Sequence, residues 1–144
     1  MSERPPGFDQ DIIDQFRANG GRILRGVFAG RTLLLLTTTG ARSGRSLTKP
    51  LGFTRDGARY VVIASKGGAP SNPAWYHNLV ANPMVTVEVQ GERFDARASV
   101  AHGTERERLF AQQAAQMPVF ARYQDMTTRE IPVVVLERIS QGSA

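Results

Sequence analysis

Arg42, Ser43, Gly44 and Arg45 form one short cluster, and Ser65, Lys66, Gly67 and Gly68 form a second. Each combines a fixed positive charge, a hydroxyl and glycine, the set that holds phosphates and carboxylates. Arg and Lys donate charge-assisted hydrogen bonds, and glycine lets backbone N–H groups approach a bound anion. Taken alone, Gly40 to Arg45 is equally a plain basic hairpin turn, and Ser65 to Gly68 reads slightly better as a flexible loop. Two such loops in one short chain favour an anion site. Neither is a Walker loop, because the Gly-Lys-Ser/Thr ending is missing, and no dinucleotide fingerprint is present.

The charge distribution agrees. From Arg31 to Gly68 there are seven basic residues (Arg31, Arg42, Arg45, Lys49, Arg55, Arg59, Lys66) and one acidic, Asp56, while the remainder carries eleven basic and twelve acidic, so the surplus of +5 lies in this stretch. A focused positive potential attracts anions without choosing among them. Nucleic acid is disfavoured, since there is no Arg- and Lys-laden helix, no interleaving of aromatic with basic residues and no recognition motif.

Catalysis by side chains is thin. His77 and His102 each lack a second ligand at metal spacing, no nucleophile stands with a base, and there is no cysteine. That favours a cofactor which carries the reaction while the protein supplies position and electrostatics. Trp75 reads as core packing. Tyr123 reads either as a packed helix aromatic or as a phenol over a barrel opening that donates to a substrate.

The elements that must position these residues follow from periodicity. Ile12, Ile13 and Phe16 predict an amphipathic helix over Asp9 to Ala18, stopped by Gly20-Gly21, with an apolar continuation from Ile23 to Phe28. Strands are expected over Thr32 to Thr39, over Leu47 to Thr54 with Pro50 at an edge or bulge, and over Arg59 to Ser65 after an Asp56-Gly57 hairpin. Ser71 or Asn72 is expected to cap a helix that Pro73 opens and Asn82-Pro83 closes. Strands then run from Met84 to Val89 and from Phe94 to Ala101. Thr104 and Glu107 read as a capping box for a helix to Gln116, Pro118 opens another to Asp125, and Pro132 to Ile139 is the last strand.

The hairpins make the sheet mainly antiparallel. The expected class is mainly β with helices (α+β), a small closed or split β-barrel with helices over its openings. The division is an N-terminal helical segment at 1–30, a barrel at 31–139 and a frayed tail at 140–144. At 144 residues the chain has single-domain length. The longest apolar run, Leu33 to Leu36, is far too short to span a bilayer and no signal-peptide succession opens the chain, so a cytoplasmic location is expected. Peripheral contact at the inner membrane face, through the segment that Arg22 and Arg25 flank, is the lesser alternative.

Taken in order, Leu35-Leu36-Thr37-Thr38-Thr39-Gly40-Ala41-Arg42-Ser43-Gly44-Arg45, Ser65-Lys66-Gly67-Gly68-Ala69-Pro70, Asn72-Pro73-Ala74-Trp75-Tyr76-His77-Asn78-Leu79 with Asn82-Pro83, and Ile131-Pro132-Val133 resemble the deazaflavin-dependent nitroreductase family of actinobacteria, split-barrel oxidoreductases that use coenzyme F420. The resemblance covers roughly Arg31 to Glu137. It implies that Arg42, Ser43, Gly44, Arg45 and Lys49 face the coenzyme's phosphate and glutamate tail, helped by Lys66, Gly67 and Asn78. It further implies that Pro50 and Ile63, Ala64 and Ser65 border the deazaflavin ring, with Trp75 in the same site. Tyr123 matches a family tyrosine beside the substrate, and Ser65 and Tyr123 become the candidate catalytic residues. Ala41 replaces a residue that is often basic, which implies weaker tail binding. Phe120 replaces what can be a further tyrosine, which implies a quinone-like acceptor rather than a bulky nitroimidazole. The implied activity is hydride transfer from reduced coenzyme to a quinone or other electron-poor acceptor such as a nitro compound, by a monomer or homodimer. An FMN enzyme of the same barrel, and a non-catalytic deazaflavin or lipid binder, are the alternatives.

Overall fold

The computed structural model describes residues 7–26 and 28–139. Val27 and the tail at 140–144 lie outside the described residues. Helix α1 (Phe8–Ala18) leads to strands β1 (Leu34–Thr39), β2 (Ser46–Leu51), β3 (Thr54–Asp56) and β4 (Arg59–Ile63), a 3-10 turn (Lys66–Gly68) and α2 (Ala74–Ala81). Strands β5 (Met84–Val89) and β6 (Glu92–Val100), helices α3 (Gly103–Gln116) and α4 (Val119–Asp125), and strand β7 (Val133–Arg138) complete it.

The seven strands form one antiparallel sheet in the order β2-β1-β5-β6-β7-β4-β3. The expected single strand from Leu47 to Thr54 is thus two strands, broken at Gly52-Phe53, that sit on opposite edges of the sheet. This break curls the fold. The steps from Leu51 to Thr54 span roughly 11 Å at full extension, so the two edges must come together and the sheet must wrap into a half-barrel. Pro50 lies on edge strand β2, opposite Leu35, where a missing N–H costs least.

Side-chain alternation sorts the apolar residues onto two faces. Leu34, Leu36, Tyr60, Val62, Val87, Phe94, Val134 and Leu136 fill the inside of the barrel, together with Trp75 and Leu79 from α2, which lies over an end of the barrel. On the outer surface, Leu35 and Leu33 meet Ile12, Ile13 and Phe16 of α1 and Ile23. The run Leu33 to Leu36 is apolar throughout because both faces of β1 are covered. A third cluster joins Val61, Ile63, Val133 and Val135 to Leu109 of α3, with Phe120 and Tyr123 of α4 against it. Helices α1 and α3 therefore cover the outer faces rather than the openings.

Neither predicted cap forms. The N-cap position of α2 is Pro73 and that of α3 is His102, each without a side-chain cap hydrogen bond. Asn72 instead accepts from Arg129, and Glu107 accepts from Arg106.

Candidate functional site

In an antiparallel sheet of this order, β1, β6 and β4 run one way and β2, β5, β7 and β3 the other. The loop after β1 (residues 40–45), the loop after β4 (residues 64–73) and the segment entering β7 (residues 126–132) therefore share one end of the half-barrel. The two loops singled out by composition are brought to a common end.

The first loop is a tight turn, with Gly40 N–H donating to Arg45 O at 2.7 Å, Gly44 N–H to Gly40 O at 3.1 Å and Arg45 N–H to Ser43 Oγ at 3.1 Å. A Cβ on Gly40 would fall 2.5 Å from Ser43 Oγ and 3.2 Å from Arg45 O, so a larger residue would have to displace the serine hydroxyl from its bond to Arg45 N–H. Arg42 and Arg45 are exposed and have no carboxylate partner among the described residues. Helix α2 anchors the loop from beneath, since buried Asn78 accepts from Ala41 N–H at 3.0 Å and donates to Thr38 Oγ1 at 3.1 Å. Its amide oxygen and one of its N–H groups thus tie the loop and the end of β1 to the helix.

The second loop is conformationally unusual. Lys66 has φ 49°, followed by Gly67 at 63° and Gly68 at 84°. A change from right-handed Ser65 into successive left-handed residues turns N–H groups to one side, the arrangement that makes anion-binding concavities. The N–H groups of Lys66 and Gly67 have no acceptor among the described residues. Lys66 is exposed, its Nζ 3.4 Å from Ser71 Oγ.

Tyr123 sits beside this loop. The site of a Cβ on Gly68 lies 3.1 Å from Tyr123 O and 2.9 Å from Met126 Cβ, so α4 rests directly on the turn. The Tyr123 ring is half-buried, meets Phe120 edge-on at 5.8 Å, and leaves its hydroxyl without a partner among the described residues. It both packs and presents a free phenol. Ser65 is buried at 8%.

The remaining predicted residues are less exposed to a ligand. Trp75, 3% exposed, is part of the inner core and supports α2. Ile63 points into the cluster under α3, Ala64 is fully buried, and Pro50 is buried within β2, so backbone is what Ile63 and Ala64 offer a bound ring. Lys49 forms an ion pair with Asp9 of α1.

One residue carried no signal in the sequence. Arg129, ahead of β7, donates to Ala69 O at 2.8 Å, Ala64 O at 3.3 Å, Asn72 Oδ1 at 2.7 Å and Ser65 O at 2.7 Å. Burial pushes its guanidinium below the ordinary arginine value, and no carboxylate offsets that. A lone arginine in a polar turn matches no motif; its position just before buried Ile131 was the sole hint.

A cleft lined by Arg55, Tyr60, Val89, Gln90, Glu92 and Arg138 lies at the opposite end of the sheet from these loops. Its arginines are stacked on Tyr60 and Phe94, and Arg138 is paired with Glu92.

Comparison with known proteins gives a consistent result. The profile of the F420H(2)-dependent quinone reductase family matches residues 10–138. An F420H(2)-dependent quinone reductase of Mycobacterium tuberculosis is 40% identical over 126 residues, covering 85% of both chains. Among solved structures, an F420-H2 dependent reductase (FDR-A) superposes with TM-score 0.68 at 40% identity, over 73% of this chain and 93% of its own. A chain solved as a domain-swapped dimer superposes with TM-score 0.71 at 35% identity, over 89% and 96%.

Proposed function

The chain belongs to the F420H(2)-dependent quinone reductase family, and we propose that it holds coenzyme F420 at the barrel end where the loops after β1 and β4 emerge, passing hydride to a quinone. The observation that carries this placement is that Arg42, Arg45 and Lys66 leave that same end with no carboxylate partner among the described residues. Three uncompensated cations beside free N–H groups match an anionic tail.

In this reading Arg42, Ser43, Gly44 and Arg45 hold the phosphate and glutamate tail, and Lys66 with Gly67 binds a second anionic group. Lys49 contributes only by exchanging its Asp9 partner. When bound, the reduced coenzyme supplies a hydride, and the quinone takes it with one proton and leaves as the quinol. The Tyr123 phenol, beside the Gly68 turn, orients the acceptor or delivers that proton. Ser65 lines the ring through its backbone.

The test mixes protein, reduced coenzyme and menadione and follows growth of the oxidised coenzyme's absorbance. Turnover that drops in Tyr123→Phe supports the reading, and absence of both coenzyme binding and turnover rejects it. An FMN enzyme would instead purify yellow with bound flavin. A binder without activity would hold coenzyme and give no menadione-dependent oxidation of it.

Two partners belong to the same proposal. A homodimer is suggested by the relative solved as a domain-swapped dimer, and sedimentation equilibrium checks it. Contact with a membrane surface rests on exposed Leu24 between Arg22 and Arg25, because Ile12, Ile13, Phe16 and Ile23 are already buried against β1. No helix among the described residues is long and apolar enough to cross a membrane. Co-sedimentation with anionic vesicles, lost in Leu24→Asp, would support that contact.

A further inference from the structure

Among the described residues, the Arg129 guanidinium binds one stretch of chain only. Its four acceptors, Ala64 O, Ser65 O, Ala69 O and Asn72 Oδ1, all lie in the loop that follows β4, and every one is neutral. The planar fork of arginine offers five donors in fixed directions, which a lysine ammonium cannot reproduce. A charge half-buried without a carboxylate carries a desolvation cost, so these hydrogen bonds do more for the loop than for the arginine.

The peptide plane makes the consequence specific. No described peptide bond is cis, so the Lys66 N–H lies opposite the Ser65 carbonyl across a planar group. With Ser65 O aimed at Arg129 Nη2 at 2.7 Å, the Lys66 N–H is turned to the other side of the loop. Lys66 also holds φ 49°, a left-handed conformation that strains a non-glycine residue and persists only where its surroundings enforce it. Gly68 N–H closes the turn onto the same Ser65 O at 3.0 Å. Between them, Arg129 and that turn fix the peptide.

We propose that Arg129 is a positioning residue for the coenzyme: it gathers the carbonyls of Ala64, Ser65 and Ala69 on one side of the loop and thereby presents the Lys66 N–H on the other to a bound anion, beside the Gly67 N–H, whose peptide is held by the Ala69 N–H to Lys66 O bond. This rests on the placement of the coenzyme argued above. Arg129 itself touches no ligand in this scheme, and its removal weakens binding through the loop.

The test compares wild type, Arg129→Ala, Arg129→Lys and a control, Val87→Ala, which thins the inner core away from the loop. Hydrogen exchange on the coenzyme-free protein reads the loop, quenching of coenzyme fluorescence reads affinity, and steady-state rates separate KM from kcat. In Arg129→Ala, amides of residues 64–72 exchange faster, the Kd for coenzyme rises about tenfold or more, as loss of hydrogen bonds to a charged group implies, and kcat at saturating coenzyme changes much less. Guanidinium ion at low millimolar concentration restores part of the affinity. Val87→Ala loses thermal stability with its Kd unchanged. If Arg129→Ala does not fold, Arg129→Lys decides, because it keeps the charge and loses the fork: a raised Kd supports the proposal and a wild-type Kd overturns it. Wild-type affinity in Arg129→Ala, or equal loss in Val87→Ala, overturns it while leaving the functional reading intact. Wild-type protein that binds no coenzyme removes both.

Discussion

The Asn78 side-chain oxygen accepts a hydrogen bond from Ala41 N–H at 3.0 Å, joining α2 to the first residue of the basic loop across 37 positions of sequence. The same amide donates to Thr38 Oγ1 at 3.1 Å, at the end of β1. Asn78→Ala leaves the Ala41 N–H and the Thr38 hydroxyl without this partner, which costs about 1–3 kcal/mol of stability. Asn78→Asp keeps an acceptor for both groups but adds negative charge beneath the loop. Thermal unfolding should therefore show a larger loss for Ala than for Asp, while coenzyme titration shows both variants weakened. Full affinity in the Asp variant would mean that no anion sits above Ala41.

Arg42 and Lys66 stand on different loops at one end of the barrel, exposed and without carboxylate partners among the described residues. Arg42→Ala combined with Lys66→Ala should raise the coenzyme Kd by about tenfold or more, on the scale of two charge-assisted contacts. The wild-type Kd should rise with added salt, and the double variant's should rise less steeply, since exposed charges are screened over roughly 10 Å at 0.1 M. Equal salt slopes would show that these side chains do not face the anion.

Much of this arrangement was legible because strand periodicity reports burial directly. The alternation of β5 and β6, the two-sided apolar run of β1 and the glycine-bearing loops each reflect a local constraint that sequence carries. The break at Gly52-Phe53 was not legible, because nothing local separates one bent strand from two strands on opposite edges; closure of the barrel decides it. The caps failed for a related reason. Asn72 faces a guanidinium far along the chain, and this tertiary partner wins over its own helix. Likewise the pairing of Lys49, which the resemblance implies faces the coenzyme tail, with Asp9 of α1 joins residues far apart in sequence and carries no local signal. Arg129 was invisible because three of its four acceptors are backbone carbonyls, which every residue has.

Asp56 gives a test of the scaffold rather than the site. Hydrogen bonds first from Arg108 and then from Arg59 hold its carboxyl down from 3.8 to about 2. A carboxyl depressed in the folded state contributes stability that is fully present above its unfolded value and is lost as pH falls through the folded one. This link between α3 and the β3–β4 hairpin should therefore weaken as pH falls from about 4 to about 2. Melting temperatures across that window should fall more steeply for wild type than for Asp56→Asn. Parallel curves would mean that the carboxyl titrates alike in both states.

Gly68 holds the loop and the tyrosine helix together, and a single methyl tests that contact. Its φ of 84° is left-handed, and a Cβ there would lie 2.9 Å from Met126 Cβ, 3.0 Å from Met126 Sδ and 3.1 Å from Tyr123 O. The neighbouring Gly67, at φ 63°, has open space around the same position. Gly67→Ala should thus cost only the left-handed penalty, roughly 1–2 kcal/mol. Gly68→Ala adds overpacking of about 1–3 kcal/mol, because a backbone carbonyl cannot swing aside as a flexible side-chain end can. The surplus has to be relieved by moving α4, and Tyr123 moves with it. Gly68→Ala should consequently lose more turnover with quinone than Gly67→Ala at saturating coenzyme, in addition to the larger drop in melting temperature. If the two variants retained equal turnover, α4 would not be what sets the acceptor's place.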